Sequence, residues 1–281
     1  MTAAGPRKTD CFTTAFTTSV VPMVPPATSY LLCANQRSGS TLLCRALSDT
    51  GVAGHPMEYF LTGGPNDFPD GWTFWEEGPL AQEHGVRDRE EFLQVVYDVG
   101  STGNGVFGAK LMWNNVPWVL AKFHEMKTYS GMTRAEVLHA AFPDLHVVHL
   151  TRRDRVRQAI SWARAAQDGV WVVSDEEPAR PAGDPSYVAE FIAGLEGLIV
   201  DGEQGWRDLY GELGLVPYEV VYEDLLTDDG YENALRGILR HLGVDDADVR
   251  VPPRRTHRQT DTINEQWVER YLQDRADSIA D

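Results

Sequence analysis

The sequence predicts an α/β fold, a central and mainly parallel sheet flanked by helices. Three observations predict it. Short apolar runs of strand length, Tyr30–Ala34, "GVFGAKLMW" and "LHVVHLT", are each followed by a segment of helical periodicity. The runs are almost continuously apolar, as strands buried on both faces are. Glycine, proline and polar clusters mark the joints between elements. Strands alternating with helices imply parallel pairing through right-handed crossovers, and such sheets bind ligands beyond the carboxyl ends of their strands.

Residues 1–27 are expected to be a disordered tail ahead of a single domain over 28–281. Arg7 and Lys8 precede a faintly leader-like stretch, but its threonines and Pro22, Pro25 and Pro26 break any apolar helix. The chain is therefore expected to be cytoplasmic. Tyr30–Ala34 is the first strand. Ser40–Asp49 is the first helix, with Leu42, Leu43, Ala46 and Leu47 inward. A Gly/Pro-rich loop, "GVAGHPMEYFLTGGPNDFPDG", leads to a helix around Asp88–Tyr97. Gly105–Trp113 is the second strand and Val116–Met126 the next helix. The third strand ends at Thr151, and a helix follows near Val156–Gln167. Residues 172–185, "VVSDEEPARPAGDP", are polar and proline-broken, and read as a loop or mobile lid. Tyr187–Tyr210 is a long helix, and "VPYEVVYEDLL" a fourth strand leading to Glu223 and Asp224. Tyr231–Leu242 is a helix stopped by Gly243. "VPPRRTHRQTDTINEQWVERY" is an arginine-rich loop followed by a last helix.

A length of 281 residues and an apolar fraction of 42% suit one large globular domain. The formal charge of −17 argues against nucleic acid and anionic membrane as partners, since both need a basic face. Against that background two arginine clusters stand out: Arg152, Arg153, Arg155 and Arg157, then Arg254, Arg255 and Arg258. Each is either solvated surface or the seat of a small polyanion. Cys11, Cys33 and Cys44 form no even-numbered disulfide framework. His146 and His149 flank apolar strand residues and read as structural. No residues show metal-ligand spacing, and no run of about 18 apolar residues marks a transmembrane segment.

The stretch "NQRSGSTLL" carries the first chemistry. Gly39 lets the backbone turn tightly and approach a ligand. The helix start offers free N–H groups and a positive dipole end. Ser38, Ser40 and Thr41 add hydroxyl donors, and Arg37 adds a guanidinium fork suited to tetrahedral anions. A plain serine-capped helix start is the alternative. A nucleoside-triphosphate loop would place a lysine after the glycine, to reach the outer phosphates. Gly39-Ser40-Thr41 has none, so the expected anion is phosphate-sized and held without a metal. In "HLTRRDRVRQAISWARA", an arginine at a strand end and Ser161 on the following helix could clamp a second phosphate. The alternative is a helix start charged for solubility. Two clamps at neighbouring strand ends suggest a ligand with two anionic ends, such as a nucleotide phosphorylated on both sides of its ribose.

"QRSGSTLL", "TGVAGHPMEYF", "GVFGAKLMWNN" and "RRDRVRQAISWARAAQDGVW", in that order, closely resemble the Stf0 family of sulfotransferases over Tyr30–Trp171. A weaker likeness returns in "RQTDTINEQWVERY". The resemblance implies a P-loop-like fold, 3′-phosphoadenosine 5′-phosphosulfate (PAPS) as donor, and a homodimer. By position it implies that Arg37, Ser38, Gly39, Ser40 and Thr41 hold the 5′-phosphosulfate. Arg152 and Ser161 would hold the 3′-phosphate. Arg153 stands where the family tolerates proline, and Arg258 and Gln259 would complete the nucleotide site.

Sulfuryl transfer needs a group to take the proton of an attacking hydroxyl. In many animal sulfotransferases it is a histidine two residues after a lysine on the second strand. Here Lys110 is kept, but Met112 occupies that place and cannot accept a proton. The family's candidate is the second glutamate of "Gly-Glu-Pro-Gln-Glu-Phe-Phe", which in "GHPMEYF" is Glu58. Without the resemblance, Glu58 reads first as a loop glutamate in a salt bridge or a helix cap. Apolar Met57, Tyr59 and Phe60 would desolvate it. Lys110 would stabilise the leaving oxygen together with Arg37. His55 replaces the first glutamate of the family stretch, and Trp72, Phe74 and Trp75 crowd the next loop. The expected acceptor is therefore the hydroxyl of a carbohydrate, a glycolipid or a glycosylated secondary metabolite. Two rivals stay open: a kinase or nucleotide hydrolase with magnesium at Glu223 and Asp224, and a catalytically silent nucleotide-binding module.

Overall fold

Four strands form one all-parallel sheet. They are β1 (Thr28–Ala34), β2 (Val106–Met112), β3 (Leu145–Thr151) and β4 (Tyr218–Val221), laid side by side in the order β2-β1-β3-β4. The computed structural model describes residues 23–61, 78–171, 183–254 and 262–280, the side chains of 278–280 excepted. Arg258, Gln259, the trio Trp72, Phe74 and Trp75, residues 1–22 and residues 172–182 lie outside the described residues.

The helices among the described residues are α1 (Ser40–Asp49), α2 (Pro79–His84), α3 (Arg89–Gly100), α4 (Val116–His124), α5 (Arg134–Ala141), α6 (Arg155–Asp168), α7 (Ala189–Leu213), α8 (Asp228–His241) and α9 (Thr262–Ala280). None is long and apolar enough to cross a membrane.

Strand side chains alternate between the two faces of the sheet, and both faces are covered. Tyr30, Leu32, Ala34, Val148 and Leu150 pack against Leu43 and Leu47 of α1 and Leu235 and Ile238 of α8. Leu31, Cys33, Phe107, Ala109 and Val147 face the other way, against α3, α4, α5 and α7. This double burial is why the strand sequences show no polar alternation. Ahead of β1, the Val24 N–H donates to Gln94 Oε1 at 2.7 Å and Met23 packs on the second of these cores.

A third cluster joins α6, α7 and α9 through Ile160, Ile199, Trp267 and Tyr271. Its polar rim is a two-pronged ion pair. Arg157 Nη2 reaches Glu265 Oε2 at 2.7 Å, and Arg157 Nη1 bonds the other carboxylate oxygen.

Three elements differ from the sequence reading. The fourth strand is only Tyr218–Val221, because after Tyr222 the chain tightens into a 3₁₀ turn at Asp224–Leu226. Helices α2 and α5 were not expected. α5 carries a full capping box, with Thr133 and Glu136 satisfying each other's backbone N–H groups.

The aromatic part of the core centres on Phe107. Its ring stacks on Phe142 at 5.9 Å and meets Tyr97 edge-on at 5.5 Å. Phe107→Ala is expected to cost about 3–5 kcal/mol of stability, read by urea denaturation.

Candidate functional site

The β1–α1 turn is bent by two left-handed residues, Arg37 at φ 61 and Gly39 at φ 88. Glycine meets no steric objection there, whereas an arginine seldom adopts this conformation and must be held in it. A Cβ on Gly39 would lie 2.3 Å from Tyr222 Cδ2. Gly39 begins α1 with no side-chain cap, whereas Asp88, Thr133, Asp154 and Thr227 cap α3, α5, α6 and α8. Ser38 is fully buried, and its Oγ has no hydrogen-bond partner among the described residues. An uncapped helix start beside an orphaned hydroxyl fits an anion. Ser40 and Thr41 open the helix directly behind, Ser40 buried and Thr41 half-buried.

The turn after β3 lies against this one, because β1 and β3 pair with Ala34 level with Leu150. The strand order turns about β1, with β2 on one side and β3 on the other, so the gap between β1 and β3 is the switch point where α/β sheets bind ligands. Arg152 Nη1 donates to the Arg37 carbonyl at 3.1 Å, and the Arg152 guanidinium lies over the Tyr222 ring at 4.8 Å. Tyr222 thus stands between Gly39 and Arg152. Ser161, on α6, accepts from Arg37 Nε at 2.9 Å, and Arg37 Nη1 donates to the Trp171 carbonyl. A hydroxyl that accepts one bond keeps its own O–H to donate. Burial pushes the Arg37 guanidinium down to about 10, helped by Arg152 and Arg164 and opposed by Asp168 and Tyr222. It stays charged at neutral pH. The two clamps drawn separately from the sequence therefore share a wall, with Arg37 in both.

Glu58 is positioned by strand-like pairing with β2. Met57 bridges to Ala109 in parallel, and its carbonyl accepts from the Lys110 N–H at 2.9 Å. This sets Glu58 beside Lys110, with Nζ 3.0 Å from Oε2. Lys110 is buried, which alone would lower its pKa. Glu58, and after it Cys44, outweigh burial, and the net shift is upward. The apolar shell expected around Glu58 is incomplete. Tyr59 and Phe60 are buried in the core, but Met57 is 54% exposed and the carboxylate's partner is an ammonium.

Glu223 and Asp224 are engaged by protein groups. Glu223 accepts from the backbone N–H groups of Arg153 at 3.0 Å and Asp154 at 3.2 Å, clamping the turn that carries Arg152. Asp224 Oδ1 pairs with Arg153 Nη2 at 2.6 Å. No trio of His, Cys, Asp or Glu arranged for a metal occurs among the described residues.

The structure thus brings together Arg37, Ser38, Gly39, Ser40, Thr41, Arg152 and Ser161, and separately pairs Glu58 with Lys110. The Arg153 guanidinium turns to the surface and Asp224. Sequence reasoning missed Tyr222 and also Gln158, whose Nε2 donates to the Gln36 carbonyl at 2.7 Å, and it read Glu223 only as a magnesium ligand of the rival kinase. For Tyr222 the signal was present, since "YED" stands at the carboxyl end of the fourth strand. For Gln158, inside a helix, there was none.

The raised pKa of Lys110 has a measurable consequence. A group whose folded pKa exceeds its unfolded value stabilises the fold below the unfolded pKa, and that contribution is lost as pH rises through the folded one. The stability gap between the wild type and Lys110→Met, from urea titrations, is expected to be full below about pH 10 and to shrink above it. A gap independent of pH would remove the ion pair as its cause.

Comparison with known proteins agrees with this geometry. Residues 29–274 match the family model described as Stf0 sulphotransferase. A trehalose 2-sulfotransferase of Mycolicibacterium smegmatis is 33% identical over 261 residues, covering 88% of this chain and 95% of that protein. A trehalose 2-sulfotransferase of Mycobacterium tuberculosis is 32% identical over 259 residues, covering 86% and 93%. A solved sulfotransferase from Alicyclobacillus acidocaldarius is more distant, at 16% identity and a TM-score of 0.46, covering 88% of this chain and 92% of that one. With the family model matching residues 29–274 and a relative 33% identical across 88% of the chain, the chain belongs to the Stf0 sulphotransferase family.

Proposed function

We propose that this sulfotransferase takes its sulfuryl group from PAPS and places it on a hydroxyl of a carbohydrate, a glycolipid or a glycosylated secondary metabolite, with Glu58 as general base. The observation that carries the donor reading is the β1–α1 turn. It has an uncapped helix start, a buried hydroxyl without a partner and two arginines on one wall. Arg37, Ser38, Gly39, Ser40 and Thr41 would hold the phosphosulfate end. Arg152 and Ser161 would hold the 3′-phosphate, with Arg258 and Gln259 assigned there by position alone.

PAPS supplies the activated sulfuryl group. The acceptor oxygen forms the new S–O bond as the bond to the 5′-phosphate oxygen breaks, and the hydroxyl proton passes to Glu58. Lys110 holds the Glu58 carboxylate in place and offers positive charge for the departing phosphate oxygen. The scheme uses no metal. The acids required by a magnesium-dependent kinase reading, Glu223 and Asp224, are held by Arg153 and the Arg152 turn. The two trehalose 2-sulfotransferases among the relatives support a sugar acceptor. His55, in place of the family's first glutamate in that stretch, argues for an acceptor other than trehalose. The proposal includes a single catalytic domain over 28–281, a cytoplasmic homodimer and no nucleic-acid partner. Light scattering of the purified protein and cell fractionation test its assembly and location.

Incubation with labelled PAPS and a panel including trehalose, other sugars and glycosylated metabolites, read by mass shift, is expected to give a sulfated product. ATP turnover with added magnesium and none with PAPS would overturn the reading. Glu58→Gln is expected to bind adenosine 3′,5′-bisphosphate as the wild type does while losing about 10²–10⁴-fold in turnover. Full activity in that variant would end the base assignment. Gly39→Ala forces a side chain into Tyr222 at φ 88. It is expected to weaken binding of adenosine 3′,5′-bisphosphate by about tenfold or more in calorimetric titration.

A further inference from the structure

We infer that Gln158, on α6, is a positioning residue for the donor site: it fixes the peptide between Gln36 and Arg37 so that the Arg37 N–H faces the anion. The inference rests on the donor reading above. Four consecutive residues leading into the turn are held from outside it. Trp206 Nε1 donates to the Ala34 carbonyl at 3.2 Å, and Asn35 Nδ2 donates to the Ile199 carbonyl at 3.1 Å. Gln158 Nε2 donates to the Gln36 carbonyl at 2.7 Å, and Arg152 Nη1 to the Arg37 carbonyl at 3.1 Å. In a planar trans peptide the carbonyl and the following N–H point in opposite directions. Holding the Gln36 carbonyl against α6 therefore turns the Arg37 N–H away from α6. Holding the Arg37 carbonyl on Arg152 fixes the Ser38 N–H in the same way.

Gln158 differs from the other holders. Arg152 belongs to the cradle itself, and Trp206 is a large core side chain. Gln158 is 1% exposed, and its Oε1 has no partner among the described residues. Only the donor end of its amide is satisfied, and that end is on the turn. One helical turn on, Ser161 accepts from the Arg37 side chain. α6 thereby holds both the peptide before Arg37 and the guanidinium of Arg37, and between them they account for its left-handed backbone. Carbonyls free to rotate toward the bound anion would repel it.

The test uses the full chain with Gln158→Met, which keeps length without a donor, and Gln158→Glu. Calorimetric titration with adenosine 3′,5′-bisphosphate from pH 6 to 8 is combined with thermal melting and steady-state kinetics. Gln158→Met is expected to melt near the wild type, bind the nucleotide about tenfold more weakly at every pH, and raise the KM for PAPS with little change in kcat. Gln158→Glu is expected to regain affinity toward pH 6, where a protonated carboxyl donates to the Gln36 carbonyl, and to lose it toward pH 8, where a carboxylate repels that carbonyl. Wild-type affinity in Gln158→Met, or a loss in Gln158→Glu that does not vary with pH relative to the wild type, overturns the inference. Absence of nucleotide binding in the wild type itself would instead overturn the donor reading.

Discussion

β1 and β3 lie side by side and parallel, with Ala34 level with Leu150, so the two strands finish at one height. The turns that follow are then forced into contact, and the Arg152 guanidinium meets the Arg37 carbonyl. A slip of one residue in this pairing would carry Leu31 and Cys33 to the face now filled by Leu43 and Leu47 and break both cores. The register that keeps the cores intact is therefore the register that brings the Arg37 and Arg152 turns together. α7 reinforces it from one side, where Gly202 leaves room for Asn35 and Gly205 for Trp113. Glu223 reinforces it from the other, through the N–H groups of the Arg152 turn.

Placing Arg37 and Arg152 close together is costly even in a chain of net charge −17. Most of the described arginines pair with acids. Arg155 meets Glu203, Arg157 meets Glu265, and Arg240 meets Asp246. At the turn the arginines also bond to carbonyls, a serine and an aromatic face, and Arg152 Nε stands 4.0 Å from Glu223 Oε1. Those partners orient the two guanidiniums. The strain is visible in the left-handed backbone of Arg37, whose pKa is also lowered, by burial first and by Arg152 after it. Such strain is what a preorganised site for an anion requires.

The strands were legible because burial on both faces leaves an uninterrupted apolar run, and α1 because its inward residues recur at helical spacing. The turn was legible because its chemistry is local: Arg37 to Thr41 are contiguous. What escaped is what depends on distant pairing. Gln158 lies within a helix whose pattern says only that one face is buried. Tyr222 looks like any strand-end aromatic until the fold sets it against Gly39 and Arg152. The Glu58–Lys110 contact depends on a short parallel bridge between Met57 and Ala109 that no periodicity announces. Arg153 shows the opposite error. A charged run does not say which members face inward, and the bend after Thr151 sends this one outward to Asp224. Helix α5 was overlooked although Thr133 and Glu136 spell its capping box, because the helix is short and weakly patterned.

Glu58 sits apart from the arginines in one further respect. Its segment hangs on the outer edge of the sheet, joined to β2 by the Met57 bridge, whereas the proposed donor cradle is built around β1 and β3 in the interior. Rebuilding the rim would leave the central strands untouched. Descendants of one ancestral enzyme could therefore inherit the proposed donor seat unchanged while exchanging the acceptors they modify.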